Sequence, residues 1–206
     1  MKRYTMEFIG TMFLVLAVGL TGDPLAIGFV LMGMIYMGGH ISGAHYNPAI
    51  TLSIWMRGKL ESKYIAGYMI SQVLGAVVAG VFCYLFQGKT FAPAPAANAG
   101  FLQVYLAEIF FTFALASVIL TVATTKKLEG NYIYGLAIGL TVTASAFCVG
   151  GISGGAFNPA VGVGPILVHS IISGGTFANL ALYLIGPFAG GALAAIVFKF
   201  LNPEEA

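Results

Sequence analysis

Charge is scarce in this chain. Only 9 Lys and Arg and 7 Asp and Glu occur among 206 residues, or 8% charged, while 59% of the residues are apolar. A soluble domain carries about 25% charge. The shortage leaves too little polarity to solvate a globular surface, and it excludes disorder, which needs low hydrophobicity. A formal net charge of +2 is too small for a polybasic nucleic-acid binder. Cysteine is scarce too: Cys83 and Cys148 both lie in apolar runs and read as small buried hydrophobes. A disulfide framework and a cysteine metal site are thereby excluded. An integral membrane protein remains.

Apolar sequence is what the chain has in quantity. A spanning helix takes about 20 apolar residues. Two stretches without Asp, Glu, Lys or Arg, 24–56 and 130–198, are too long for one crossing and must be divided at turn residues. Six spans result, near 4–21, 24–40, 63–86, 103–124, 132–149 and 178–201. The start, Met1-Lys2-Arg3-Tyr4, has the look of a signal peptide. Glu7 breaks the apolar run, however, and no small-residue cleavage site follows, so a retained first helix is expected.

With six spans, Lys2, Arg3, Arg57, Lys59, Lys63, Lys126, Lys127 and Lys199 share one side, and Lys89 alone falls on the other. The positive-inside bias then predicts cytoplasmic N- and C-termini.

The chain repeats itself. Ala26-Ile27-Gly28, Ile41-Ser42-Gly43 and Asn47-Pro48-Ala49 recur as Ala137-Ile138-Gly139, Ile152-Ser153-Gly154 and Asn158-Pro159-Ala160, all at an offset of 111 residues. Glu7 and Thr11 echo Glu108 and Thr112, and Gly75 echoes Gly190. One domain over 1–206 is expected, with repeats near 1–86 and 103–206 joined by 87–102. Three spans per half is odd, so the halves are inverted, and their interrupted segments should meet at the midplane.

Those segments carry the chemistry. Asn followed by Pro is a helix start: N-cap, then first helical residue. The helix from Asn47 ends near Trp55, too short to span; its copy from Asn158 runs to about His169. Two such helices entering from opposite faces bring their positive N-termini together. Strand-like stretches at 40–46 and 151–157 should offer carbonyl acceptors beside the amide donors of Asn47 and Asn158. Such a constriction suits a neutral hydrogen-bonding solute and repels cations.

Two Asn-Pro-Ala boxes in an inverted repeat, each after a Ser-Gly turn, resemble the aquaporin (major intrinsic protein) family over essentially the whole chain. His40 to Ala49 resembles the family's first signature almost letter for letter. The resemblance implies an all-α membrane protein of six transmembrane helices and two re-entrant half-helices. It further implies a path in every subunit for water and small neutral solutes, no cofactor, no metal and no nucleic acid, and a homotetramer in the bilayer. It assigns Glu7 and Glu108 to bracing the re-entrant loops and Gln72 to supporting the first. His40 is expected to be a satisfied helix-end residue in the same structural class. His45, two before Asn47, is a candidate lining residue, and His169 ends the second half-helix.

The family's selectivity filter, counted from the boxes, falls on Ile27, Ala146, Gly155 and Val161. Water-selective members carry Phe, His and Arg at three of these positions. None is present here, so the filter should be wide and apolar, and the guanidinium's charge and donors are lost. Glycerol, urea, ammonia, peroxide or metalloid hydroxides then join water as candidate solutes. A short-looped microbial member suggests the cell membrane.

Two rival functions compete for the same residues. Gly151-Ile152-Ser153-Gly154 matches the Gly-x-Ser-Gly of rhomboid intramembrane proteases, but that chemistry needs a base within reach of Ser153. A non-conducting structural protein on the same scaffold is the other, because an apolar constriction can also dewet.

Overall fold

A computed structural model describes residues 1–205 and is all helical. Helix α1 spans Lys2–Thr21, α2 Pro24–Ser42, α3 Pro48–Met56, α4 Ser62–Gln87, α5 Phe101–Thr124, α6 Tyr134–Ser153, α7 Pro159–Ser173 and α8 Leu180–Leu201. Two 3₁₀ turns, Lys126–Leu128 and Pro203–Glu205, lie on the basic face. Six helices are long and apolar enough to cross a bilayer; α3 and α7 are not among them.

The spans fall close to their expected places, with instructive exceptions at the helix ends. Helices α2 and α6 run further than predicted, to Ser42 and Ser153, so the strand-like stretches expected at 40–46 and 151–157 are helical at first. Gly43 and Gly154 stop them in the left-handed conformation, φ 89° and 88°, each closing back on a carbonyl four residues earlier. Helix α7 also outlasts the expected end at His169 and continues to Ser173. Pro165 sits inside it, so the Val161 carbonyl has no i+4 amide to receive.

The halves interlock. Within each, the first and third spans pack together, α1 on α4 and α5 on α8. Between them, α2 lies on α6, and each half-helix packs on the other half: α3 against α8, α7 against α4. Glycine permits the crossings. A Cβ on Gly75 would sit 2.4 Å from the Phe8 carbonyl oxygen, and one on Gly190 2.3 Å from that of Ile109. Gly28 and Gly139 would each strike the other's carbonyl, at 2.6 and 2.5 Å. Backbones this close gain dispersion contact where lipid supplies no hydrophobic drive.

Candidate functional site: a path between the half-helices

Asn47 and Asn158 cap α3 and α7 from extended backbone, φ −158° and −156°. Each side-chain oxygen accepts the amide two residues on, Ala49 N at 2.8 Å and Ala160 N at 2.9 Å. Each Nδ2 reaches across the midplane: Asn47 donates to the Phe157 carbonyl and Asn158 to the Tyr46 carbonyl, both at 2.9 Å. One hydrogen of each amide is thus spent fixing the opposite loop. The other is left for a solute. Pro48, Ala49, Pro159 and Ala160 are buried behind the caps as the first helical residues.

Two buried carboxylates hold the loops from behind. Glu7 accepts from Ser42 Oγ (2.6 Å), His45 N (3.0 Å), Tyr46 N (2.7 Å) and Gln72 Nε2 (2.8 Å). Glu108 accepts from Ser153 Oγ (2.7 Å), Ala156 N (3.1 Å) and Phe157 N (2.7 Å). A carboxylate in the membrane interior needs such donors, and loop amides need an acceptor. The second half has Pro187 at the place corresponding to Gln72, so Glu108 receives one donor fewer.

Pulling the amides backward leaves the carbonyls. Residues 43–46 and 154–157 all line the central cavity. Among the described residues, the carbonyls of Gly43, Ala44, His45, Gly154, Gly155 and Ala156 accept no hydrogen bond. Ala44, Tyr46 and Phe157 take left-handed backbone, φ 52°, 50° and 48°. For residues with a Cβ that costs roughly 1–2 kcal/mol each. The amides of His45, Tyr46, Ala156 and Phe157 in these turns are hydrogen-bonded to the two glutamates.

The cavity has a volume of about 1090 Å³ and runs from Gly22 and Pro24 on one side to Lys59 and Tyr132 on the other. All four expected filter positions, Ile27, Ala146, Gly155 and Val161, line it, together with both asparagines and His45. Its only Lys, Arg, Asp or Glu side chains are Lys59, Lys126 and Glu129, all at the basic face. His45 Nδ1 lies 3.2 Å from Thr51 Oγ1. Thr51 accepts from Gln72 Nε2 and gives its hydroxyl proton to the Asn47 carbonyl. That assignment makes His45 Nδ1 the donor and leaves Nε2 an acceptor.

Two residues differ from their expected roles. His40 braces nothing: it is exposed at the end of α2, lines the cavity's basic mouth and makes no side-chain hydrogen bond among the described residues. The helix runs on past it to Ser42, which leaves its ring on the surface. Cys148 is exposed, not buried. Two anchors escaped the sequence reading. Tyr68 and Tyr183 are fully buried and donate to the last carbonyls of α2 and α6, Ser42 O and Ser153 O, both at 2.6 Å. Their offset of 115 residues is that of Gly75 and Gly190, the one available signal.

The serine-protease reading fails on geometry. The Ser153 hydroxyl donates to Glu108, as Ser42 does to Glu7, and His169 is engaged elsewhere, with Thr90 Oγ1 at 2.7 Å.

Inverted half-helices meeting across a lined path define a membrane channel. Comparison with known proteins gives the family: the Major intrinsic protein family profile matches residues 1–198, and the chain belongs to it. Aquaporin AqpM of Methanothermobacter thermautotrophicus is 33% identical over 98% of both chains. Aquaporin NIP1-4 of Oryza sativa subsp. japonica is 34% identical over 95% of this chain and 75% of its own. The X-ray structure of the aquaglyceroporin from Plasmodium falciparum superposes with a TM-score of 0.86, covering 99% of this chain and 98% of that one, at 24% identity. The protein is a passive, multi-pass membrane channel for water or small solutes, not an enzyme.

Proposed function

We propose that the path is wide and apolar at its outer constriction and passes small neutral solutes as well as water. The observation that carries this is the lining: Ile27, Ala146, Gly155 and Val161 share one cavity with Asn47 and Asn158. Three of these four side chains are hydrocarbon and the fourth is a hydrogen, so selection rests on the unpaired loop carbonyls and the two asparagine amides. Glycerol, urea, ammonia, peroxide and metalloid hydroxides fit that description. Cation exclusion falls to the converging ends of α3 and α7, whose partial positive charges act within the first turn. The proposal extends to residue roles: Glu7, Glu108 and Gln72 as braces and His45 as an acceptor in the inner half.

The same reading makes 1–206 one channel domain, with halves near 1–86 and 103–206 joined by 87–102. It places the basic face, and both termini, in the cytoplasm of the cell, and it assembles four copies. The gathering of Lys2, Arg3, Lys59, Lys63, Lys126, Lys127 and Lys199 at one set of helix ends supports the orientation.

Stopped-flow light scattering on proteoliposomes tests the solute reading. An impermeant osmolyte should cause fast shrinkage, and a glycerol gradient fast shrinkage followed by fast reswelling. Shrinkage without reswelling would restrict the channel to water. Rates equal to those of empty liposomes would make the apolar constriction a barrier to both.

A further inference from the structure

The sequence offers Arg57, Lys126 and Lys127 only as basic markers of one face. The structure gives all three the same partner, the segment Pro203–Glu205. Arg57 caps the outer end of α3, and its side chain is 2% exposed. Its Nη2 lies 3.1 Å from Glu205 Oε2, whose side chain is 5% exposed. The guanidinium also stacks on Phe198 of α8, 4.9 Å from the ring centroid. The other carboxylate oxygen, Glu205 Oε1, accepts the backbone amide of Lys126 at 2.8 Å. Lys127 pairs with Glu204 at 3.2 Å on the surface, with the two side chains 78% and 52% exposed.

The two interactions differ in kind. An exposed pair such as Lys127–Glu204 contributes little. Removing one partner of a buried, hydrogen-bonded pair strands the other charge, and Arg57 Nε already lacks an acceptor. Among the described residues, Glu205 is therefore the side chain that hydrogen-bonds both to the end of a half-helix and to the α5–α6 loop. That loop, from Thr124 to Tyr132, forms one wall of the cavity's basic mouth; Lys59, two residues beyond Arg57, lies on the α3 side of it.

We propose that Pro203–Glu205 is a strap that clamps the α5–α6 loop to the outer end of half-helix α3 and sets the width of the mouth on the basic face. Whatever lifts Glu205 from Arg57 frees the loop while leaving the braced centre of the path untouched.

Hydrogen–deuterium exchange on the full chain in nanodiscs tests the clamp. Amides 126–131 should exchange at least about tenfold faster in Glu205→Ala, with 137–153 unchanged. Glu204→Ala, which removes only the exposed pair, should leave both segments as they are. Spin labels at Lys59→Cys and Tyr132→Cys, in a Cys148→Ser background, read the mouth directly; their distance distribution should broaden at least about twofold when Glu205→Ala is added. Unchanged exchange at 126–131 overturns the clamp. Faster exchange with an unaltered distance distribution overturns its control of the mouth. Neither readout depends on which solute passes, so a failure of the solute reading would appear in the flux assay and not here.

Discussion

Val161 puts a hydrocarbon side chain in the path where a charged one could stand. It occupies the first turn of α7, three residues past Asn158, and lines the same cavity as Ile27 and Ala146. An arginine there would add a permanent charge with five donors and take up much of the local width. Val161→Arg should cut glycerol flux at least about tenfold while water flux falls less, as a narrower, more polar constriction favours the smaller solute. Stopped-flow scattering with the two osmolytes measures both. Equal loss of both fluxes would mean that the side chain plugs the path and does not select.

Individual elements are held apart or together by single glycines, and this separates two substitutions of the same type. Gly190 lies at the α5–α8 crossing, where a Cβ would come 2.3 Å from the Ile109 carbonyl oxygen. Gly33 is an exposed position within α2 with nothing in reach of a Cβ. Gly190→Ala should destabilise by about 1–3 kcal/mol through overpacking. Gly33→Ala should stabilise by about 0.5–1 kcal/mol, because the helix interior loses a flexible residue. Thermal inactivation in one detergent compares them, and a midpoint that moves the same way for both would contradict the packing. The sequence distinguishes them only through the repeat, in which Gly190 echoes Gly75. What was legible there is local: Asn-Pro caps that begin half-helices, and the fixed offset that pairs the two halves. What was not legible depends on distant partners. Tyr68 finds Ser42 O, and Arg57 finds Glu205, 148 residues away. His40 misled because the signature says which residues are near the loop, not that α2 carries that ring to the surface. The strand-like reading of 40–46 failed for a similar reason, since helix propagation continued until Gly43 could turn left-handed.

At the scale of the whole molecule, a single chain is enough to build a lined cavity. The asparagines, both carbonyl loops, the filter positions and the basic mouth are each supplied once, and the interlock of α3 with α8 and α7 with α4 closes the path without a second copy. Much of the remaining apolar surface, such as Phe29, Leu74, Phe110 and Ile196, points outward, away from that path. Association in the bilayer would cover some of these side chains and leave the lining unchanged. Each copy is then expected to conduct by itself. Ala146→Trp places an indole in the cavity wall, where it should block the path without disturbing either brace. Proteoliposomes made from wild type and Ala146→Trp co-assembled in varied ratios should show water flux that falls in a straight line with the wild-type fraction. If instead the path lay between copies, one blocked member would impair its neighbours and the curve would sag well below that line. A sagging curve, with total protein held constant, would move the functional path out of the single chain. A straight one would place the path, with its asparagines, loop carbonyls and the lining side chains Ile27, Ala146, Gly155 and Val161, within each copy.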